Sequence, residues 1–582
     1  MKKTIFSLAF ILMLQCSLNI EQCFCQPVHL PKSGLVISNL TYDSIKQNSI
    51  TVFWTTDLPS DSKIKWMAPD SNYQPLIFTD SIYNPALTTN HVQIITNLQP
   101  ATIYKYNVIS QNTGGSTLDS GYFVTQSLSS GSVDIYFNHS VDLTVSTGEF
   151  ANGNQNFESL YIKQIDSAKH SIDITLWEFA YYNSISTALI NAKKRGVKIR
   201  FVYNHTAFTP QIDSMIAHGI PVIQRKYDTI FSMHNKFWIF DYRYNNNPNN
   251  KYLLTGSTNV SHAQFHQDRN NIITVQDESL CAVYTREFEE MWGSHTDQFD
   301  KVRAKFGSQK VDNVPHILNV AGTRMEAYFS PSDSVSVFLN NLILTKPTHS
   351  LYFCMLKFEL PVIENALHTD FNNGIQIEGV FDSTDSFLAN SAYPRMKGLP
   401  VLNTWNPAAD VFIDTIVGLI HHKYMITDAD IPGGNKVIST GSFNWEVPAE
   451  TGNDENSLTI FDDRINNLYY QEFSQRYIES GGESIVTGNT KQESLQESSF
   501  VQNYPNPFVT KTNIKFYVSE ERDVKIVVYD FMGREVETLV NKTLTPGIYQ
   551  LSFDGSLLMS GVYFCKFSTN NYSETRRMML VK

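Results

Sequence analysis

Hydrophobic and polar positions follow three regimes along the chain. From about residue 33 to 127 they alternate over short runs, as in Ile50-Thr51-Val52-Phe53-Trp54, Lys63-Ile64-Lys65-Trp66 and Ile103-Tyr104-Lys105-Tyr106-Asn107-Val108. That is the period of strands with one buried face. From about 131 to 480, apolar strand-like blocks alternate with helical stretches, which predicts an α/β fold. A Gly/Ser/Glu-rich stretch over 480–498 reads as a linker. Short alternating strands return from about 499, with turns at Met532-Gly533-Arg534, Pro546-Gly547 and Ser560-Gly561. The expected architecture is multidomain: a central α/β unit flanked by an N-terminal and a C-terminal β-sandwich.

Length and composition agree with this division. At 582 residues the chain exceeds one compact core, and about 150 residues per domain gives three or four units. A hydrophobic fraction of 42% with 13% aromatics excludes wholesale disorder. The net charge of -12 offers a polyanion no bulk attraction, so nucleic acid would need a local basic cleft. Residues 1–25 read as a secretory signal: Lys2 and Lys3 supply the charge, 5–14 the apolar core, and 15–26 the cleavage site, just after Cys25. That core is too short to span roughly 30 Å of hydrocarbon, and no permanent membrane span is expected elsewhere. Removal of the signal leaves Cys281, Cys354 and Cys565, too scattered for a disulfide framework or a zinc site. Cys354, in the apolar run 351–356, is expected to be a buried small hydrophobe.

Two flanking segments carry resemblances. The run Leu98-Gln99-Pro100-Ala101-Thr102-Ile103-Tyr104-Lys105-Tyr106 resembles the tyrosine-corner region of fibronectin type III domains, with Trp54 as the expected core tryptophan. A domain of that kind over 33–127 implies spacing or adhesion. The last segment, 499–582, opens with Gln502-Asn503-Tyr504-Pro505-Asn506-Pro507-Phe508 and has Gly-Ile-Tyr and Gly-Val-Tyr strands at 547 and 561. It ends Met578-Met579-Leu580-Val581-Lys582 and resembles the C-terminal sorting domain of type IX secretion cargo. This implies the type IX secretion machinery as a partner and delivery to the cell surface or medium.

The central segment reads twice. Asp134-Ile135-Tyr136-Phe137-Asn138 opens the first pass and Glu326-Ala327-Tyr328-Phe329-Ser330 the second, giving halves over 131–310 and 320–480. Copy one contains His234-Asn235-Lys236, with Asp241 five residues beyond the lysine, then Gly256-Ser257-Thr258-Asn259. Copy two contains His421-His422-Lys423, with Asp428, then Gly441-Ser442-Phe443-Asn444. Composition gives about 0.05 chance matches to H-x-K-x4-D in the chain, so two in one frame, each trailed by G-S-x-N, are not accidental. Each H-x-K is expected on a strand, where positions two apart face one side. The strand–turn–strand then presents His, Lys, Ser and Asn together. Two such half-sites would surround a phosphate with two imidazoles, two ammonium groups and amide and hydroxyl donors. An imidazole pKa of about 6.5 suits both nucleophile and acid.

Residues 131–480 resemble the phospholipase D superfamily, with two H-x-K-x4-D motifs in one polypeptide. The resemblance implies a two-step phosphodiester cleavage through a covalent phosphohistidine, with neither cofactor nor metal. The candidate catalytic set is His234, Lys236, Asp241, His421, Lys423 and Asp428, of which the two aspartates would organise structure. Ser257, Asn259, Ser442, Asn444 and Glu455 would support the phosphate. In this frame Glu455 aligns with Asn270, so one half offers a carboxylate where the other offers an amide, and the two histidines should titrate differently. His422 falls on the opposite face and is expected to be structural. Lys193, Lys194, Arg195 and Lys198 are expected to cap a helix end as solvated charge. Trp177 and Phe179 either line the substrate mouth or pack in the core.

The favoured activity is hydrolysis of phospholipids to phosphatidate and head-group alcohol, by a secreted monomer. A secreted nuclease would use the same site, because the motif recognises phosphate and not what it links. A surface adhesin with inactive repeats is the alternative from another class.

Overall fold

The computed structural model describes residues 34–68, 78, 80–204, 208–225, 230–483 without 385 and 389, and 499–581 without 505, 507, 519, 520, 546, 571 and 572. The expected signal, and the linker from 484 to 498, lie outside the described residues.

The N-terminal unit is a five-stranded sheet of β1 (Ile37–Asp43), β2 (Ser49–Met67), β3 (Asp80–Thr96), β4 (Ile103–Asn112) and β5 (Gly115–Val124). β2 pairs with β1, β3 and β4, and β4 with β5, all antiparallel. Trp54 is buried, stacks on His91 with ring centroids 4.9 Å apart, and donates its indole N–H to Ser110 Oγ at 2.9 Å. The Gln99 N–H donates to the Tyr104 hydroxyl at 2.9 Å. Hydrogen bonds tie this sheet to the central unit: Tyr42 donates to the Ile317 carbonyl (3.2 Å), and Ser127 donates to Asp277 Oδ2 (2.5 Å).

The first repeat is a seven-stranded sheet of β6 (Val133–Phe137), β7 (Ser171–Leu176), β8 (Lys198–Tyr203), β9 (Val222–Gln224), β10 (Phe237–Phe240), β11 (Tyr252–Gly256) and β12 (Asn271–Gln276). Their spatial order is β6-β12-β11-β10-β7-β8-β9. The second repeat comprises β13 (Ile317–Val320), β14 (Thr323–Ser330), β15 (Ser350–Met355), β16 (Gln376–Phe381), β17 (Asp410–Ile413), β18 (Lys423–Thr427), β19 (Ile438–Gly441) and β20 (Glu455–Phe461). Its order, β13-β14-β20-β19-β18-β15-β16-β17, repeats the first with one strand added at the edge. In both sheets three strands run parallel and the hairpin carrying the motif runs antiparallel beside them.

Helices α1 (Phe157–Ser167), α2 (Asn183–Lys194), α3 (Pro210–Ala217) and the short α4 (His262–His266) cover the outer face of the first sheet. After α5 (Glu278–Trp292), the second repeat supplies α6 (Val335–Thr345), α7 (Pro361–Asn372), α8 (Tyr393–Met396) and α9 (Val447–Thr451), which pack on its own sheet. It closes with α10 (Asp463–Glu479). The inner faces of both sheets share one core with α5 and α10: Phe237, Tyr284 and Trp292 meet Phe329, Tyr424, Tyr469 and Phe473. Strands buried on both faces explain why the central blocks read as continuous apolar runs rather than alternations. α5 and α10 begin on matching caps, Asp277 accepting from the Leu280 N–H and Asp462 from the Ile465 N–H. Cys281 and Cys354 are buried in this core.

The C-terminal region is sheet-rich. A three-stranded sheet and a four-stranded one, over 499–580, share a core built from Phe516, Val528, Phe553, Cys565 and Phe567. Among the described residues no helix is long and apolar enough to cross a membrane.

Candidate active site

The two H-x-K segments meet where the repeats face each other, and each is held by the other repeat. The His234 N–H donates to the Asp454 carbonyl (2.8 Å), and the Asp454 N–H returns to Ser232 (2.9 Å). In the mirror arrangement the His421 N–H donates to the Arg269 carbonyl (3.0 Å), and the Arg269 N–H to Leu419 (2.7 Å). This corrects the expected strand placement. β10 begins only at Phe237 and β18 at Lys423, because the backbone just before them is spent on pairing across the interface. The chain is still extended there, so His and Lys, two apart, project to one side.

Side chains cross the interface too. His234 donates from Nδ1 to Glu455 Oε2 at 2.7 Å, and His421 from Nδ1 to Asn270 Oδ1 at 3.0 Å. Both partners are oriented by the serines of the G-S-x-N motifs: Ser442 Oγ donates to Glu455 (2.6 Å), and Ser257 Oγ to Asn270 (2.8 Å). The serines and asparagines lie just past β11 and β19 rather than on them. The preceding glycines have φ of 146° and 151°, and a Cβ there would fall 2.3 Å from the Asn271 carbonyl oxygen or 2.2 Å from that of Asn456. Only glycine lets each strand end this close to the neighbouring one.

Each lysine donates Nζ to the carbonyl of its own histidine, Lys236 to His234 and Lys423 to His421, both at 2.8 Å. Asn259 Oδ1 accepts the Glu178 N–H (3.3 Å). Asn444 donates to Glu446 (3.0 Å), and its buried Oδ1 has no hydrogen-bond partner among the described residues.

Burial and crowding of positive charge set the protonation of the site. Burial pushes His234 down to about 4, Glu455 opposing and Lys236 and Lys423 reinforcing. His421 lies well below the usual histidine range through burial and the nearby Lys423, Lys236 and His234. Burial lowers Lys423 to about 7 although Glu455, Glu446, Asp382 and Asp268 pull upward. Lys236 is likewise far below an ordinary lysine, burial and Lys423 outweighing Glu455 and Glu178. Glu455 itself is lowered: burial would raise it, but His234, Lys236 and the Ser442 hydrogen bond prevail. The site therefore holds an ionised Glu455 beneath a neutral His234, in the tautomer that leaves Nε2 unprotonated. The charges of Lys236 and Lys423 bear on both histidines, and that of His234 on His421.

Asp241 and Asp428 stand apart from this chemistry. Asp241 accepts the backbone N–H groups of Lys169, His170 and Ser171, and Asp428 those of Thr348, His349 and Ser350. Each has positive φ (55° and 52°), and each clamps the turn that enters the first parallel strand of its sheet, β7 or β15. Among the described residues, neither bonds to the imidazoles or ammonium groups of the cleft.

Several contributors were absent from the candidate set. Asn270 was aligned with Glu455 but not counted as a site residue. Asn204 and Asp382, each the first residue past a parallel strand, accept the N–H groups of Met233 (3.0 Å) and Ile420 (2.8 Å), just before each motif histidine. Trp177 sets its ring edge-on to His234, centroids 5.9 Å apart, whereas Phe179 is fully buried in the outer core. His422 is buried between Glu472 (3.0 Å from Nε2) and Asn271 (3.0 Å from Nδ1). The basic stretch ends α2, and Arg195 reaches the Ile165 carbonyl (2.9 Å).

Among the described residues, one group of metal-type side chains comes together: Asp312 and His316, before β13, and Asp333, just after β14. Burial would lower His316, but the Asp312 hydrogen bond and the Asp333 charge raise it to about 9, and its Nδ1 donates to the Ala327 carbonyl. It is an imidazolium held by carboxylates, which is a poor metal ligand.

The fold and the site define a protein with a phospholipase D-like domain made of two repeats. Residues 161–292 and 342–477 match the family described as "Cardiolipin synthase, PLD-like domain", and 502–582 match the "Secretion system C-terminal sorting domain". The chain thus joins that two-repeat domain to a type IX secretion sorting domain. It is similar to the mitochondrial cardiolipin hydrolase of Xenopus tropicalis, 28% identical over 138 residues, which cover 24% of this chain and 59% of that protein. It is also similar to a phospholipase D of Rickettsia prowazekii, 25% identical over 164 residues, 28% of this chain and 73% of that one. The chain spans about half the length of the curated cardiolipin hydrolases it matches. Among solved structures it is similar to the phosphatidylserine synthase of Haemophilus influenzae, with 13% identity, TM-score 0.39, and coverage of 58% and 84%. Nuc, a phospholipase D family member of Salmonella typhimurium, gives 23% identity, TM-score 0.22, and coverage of 28% and 94%.

Proposed function

We propose that this chain is an exported phosphodiesterase that hydrolyses phospholipids to phosphatidate and the head-group alcohol. The observation that carries the reading is the crossed pair of imidazoles, each oriented by the opposite repeat, over two buried lysines. His234 is the nucleophile. As its Nε2 bonds to phosphorus the ring gains positive charge, which the Glu455 carboxylate stabilises. His421 is the acid: it gives its proton to the leaving alcohol oxygen as the P–O bond breaks and ends neutral, so an amide partner suffices. Bound diester raises the proton affinity of His421 and of both lysines by placing an anion beside them. In the second step His421 takes a proton from water, the oxygen attacks phosphorus, and the bond to His234 Nε2 breaks. Lys236 and Lys423, with Asn259 and Asn444, hold the phosphate oxygens throughout.

Phospholipid is favoured over nucleic acid by charge. Glu178 and Glu446 add negative charge near the two lysines, and the chain carries a net -12, both unfavourable to a polyanion and compatible with a zwitterionic head group. Phosphatidylcholine vesicles and single-stranded DNA, offered separately to the purified protein, test this: phosphatidate and choline are expected, and nucleotide release without phosphatidate would replace the lipid reading with the nuclease.

We read the remaining organisation as a signal over 1–25, a fibronectin III-like sandwich over 33–127 serving as a spacer, repeats over 131–310 and 320–480, a linker over 481–498 and a sandwich-type sorting domain over 499–582. Export through the type IX machinery would place a monomeric enzyme at the cell surface or in the medium.

A further inference from the structure

Six large apolar side chains are exposed in segments that adjoin site residues along the chain, the last of them at the start of α9. Tyr181 (80% exposed) lies four residues past Trp177, whose ring touches His234. Ile230 (69%) and Val417 (85%) stand at the same place in the two repeats, each four residues before its motif histidine. Val417 also offers its carbonyl to Arg269 (3.2 Å), whose own carbonyl accepts the His421 N–H. Phe387 (70%) and Leu388 (49%) follow Asp382, the residue that fixes Ile420 beside His421. Val447 (51%) lies three residues past Asn444.

Topology puts these positions on one side. β7 and β8 run parallel, as do β15 and β16, so the loops leaving their C-terminal ends emerge on the same edge of each sheet. The segments entering the H-x-K motifs arrive at that edge. Single exposed apolar residues need no explanation, but six around one cleft, from both repeats, do.

We propose that this rim is a membrane-docking surface that seats the cleft on a lipid bilayer. The proposal rests on the phospholipid reading and extends it to how substrate is reached. The cleft encloses its imidazoles and ammonium groups, whereas a phospholipid presents its diester at the bilayer surface with the acyl chains just beneath. Apolar side chains that enter roughly the first 5–10 Å of the interface would bring the two together without extracting the lipid. Tyr181 and Phe387 suit the head-group boundary, where aromatic rings concentrate. With a net charge of -12, docking must come from apolar insertion rather than attraction to anionic lipid. It should therefore occur on neutral phosphatidylcholine and be insensitive to salt.

The test compares the full chain with a Tyr181→Ser, Phe387→Ser, Val417→Ser variant. Flotation with phosphatidylcholine vesicles, at low and high salt, is measured beside hydrolysis of soluble bis(p-nitrophenyl) phosphate. Wild-type protein should float at both salt concentrations. The variant should lose vesicle binding and vesicle hydrolysis at least about tenfold while soluble hydrolysis stays within about twofold. The proposal is overturned if the variant floats like wild type, or if active wild-type protein never floats. It is equally overturned if the substitutions only turn a dimer into a monomer, which would make the rim a contact between copies. Absence of soluble hydrolysis in the wild type would strike the catalytic reading instead. Circular dichroism shows whether the variant is folded; if it is not, the single Val417→Ser protein is compared in the same way.

Discussion

His234 in the first repeat places Nδ1 2.7 Å from Oε2 of Glu455 in the second, 221 residues further along the chain. Its counterpart His421 meets the amide of Asn270 instead. In the proposed mechanism this unequal crossing divides the labour between two otherwise matching half-sites: the histidine that gains charge faces a carboxylate, and the one that surrenders it faces an amide.

Replacing Glu455 by Gln keeps the hydrogen-bonding shape and removes the charge. We expect kcat to fall about a hundredfold or more at neutral pH. The pH profile should move as well. Lys423 lies at about 7, and His421 and Lys236 are lowered as well, so kcat/KM, which reports the free enzyme, should fall as pH rises to about 7 and beyond and those protons are lost. Glu455 pulls Lys423 upward, so Glu455→Gln should bring the decline to lower pH. A decline that stays in place or moves upward would contradict the assignment.

Asp241 tests the distinction between clamp and catalyst. Asp241→Ala strands three backbone N–H groups of the turn before β7 and should cost about 3 kcal/mol in urea unfolding. The rate per folded molecule should change little. A large fall in kcat with unchanged stability would return Asp241 to the chemistry.

Trp177 sets its ring edge-on to His234. Trp177→Ala should leave the fold intact and lower kcat/KM by about tenfold, the order of one lost aromatic contact. An unchanged value would make the ring a bystander.

The sorting domain has its own sheets and its own core. A chain ending at residue 483 should hydrolyse soluble diesters as the full chain does. In a host with type IX secretion it should remain inside the outer membrane. Delivery to the medium without 499–582 would show that the address lies elsewhere.

How much of this was legible depended on whether the information is local. The H-x-K and G-S-x-N motifs were readable because displacement at phosphorus needs those groups at fixed short spacing, and the repeat doubled the signal. The unequal pair Glu455 and Asn270 was readable as an offset within the frame. Which histidine each serves was not, because the contact forms only when two halves fold together. The same cause misled the placement of His234 on a strand: its backbone pairs with Asp454 across the interface, a partner no local period announces. Asn204 and Asp382 carried a weak local mark, a polar residue directly after a buried strand, which becomes meaningful only once the loop it fastens is seen. The apolar rim left no pattern at all, since its residues come from five separate segments of the chain.

The central claim is a covalent bond between phosphorus and His234. Acid quenching during turnover, followed by peptide mass spectrometry, measures it directly. We predict a phosphorylated His234 that accumulates in His421→Asn and is absent in His234→Asn, with both variants inactive in turnover. Phosphate found on another residue, or steady turnover by the His234→Asn protein, would contradict the account.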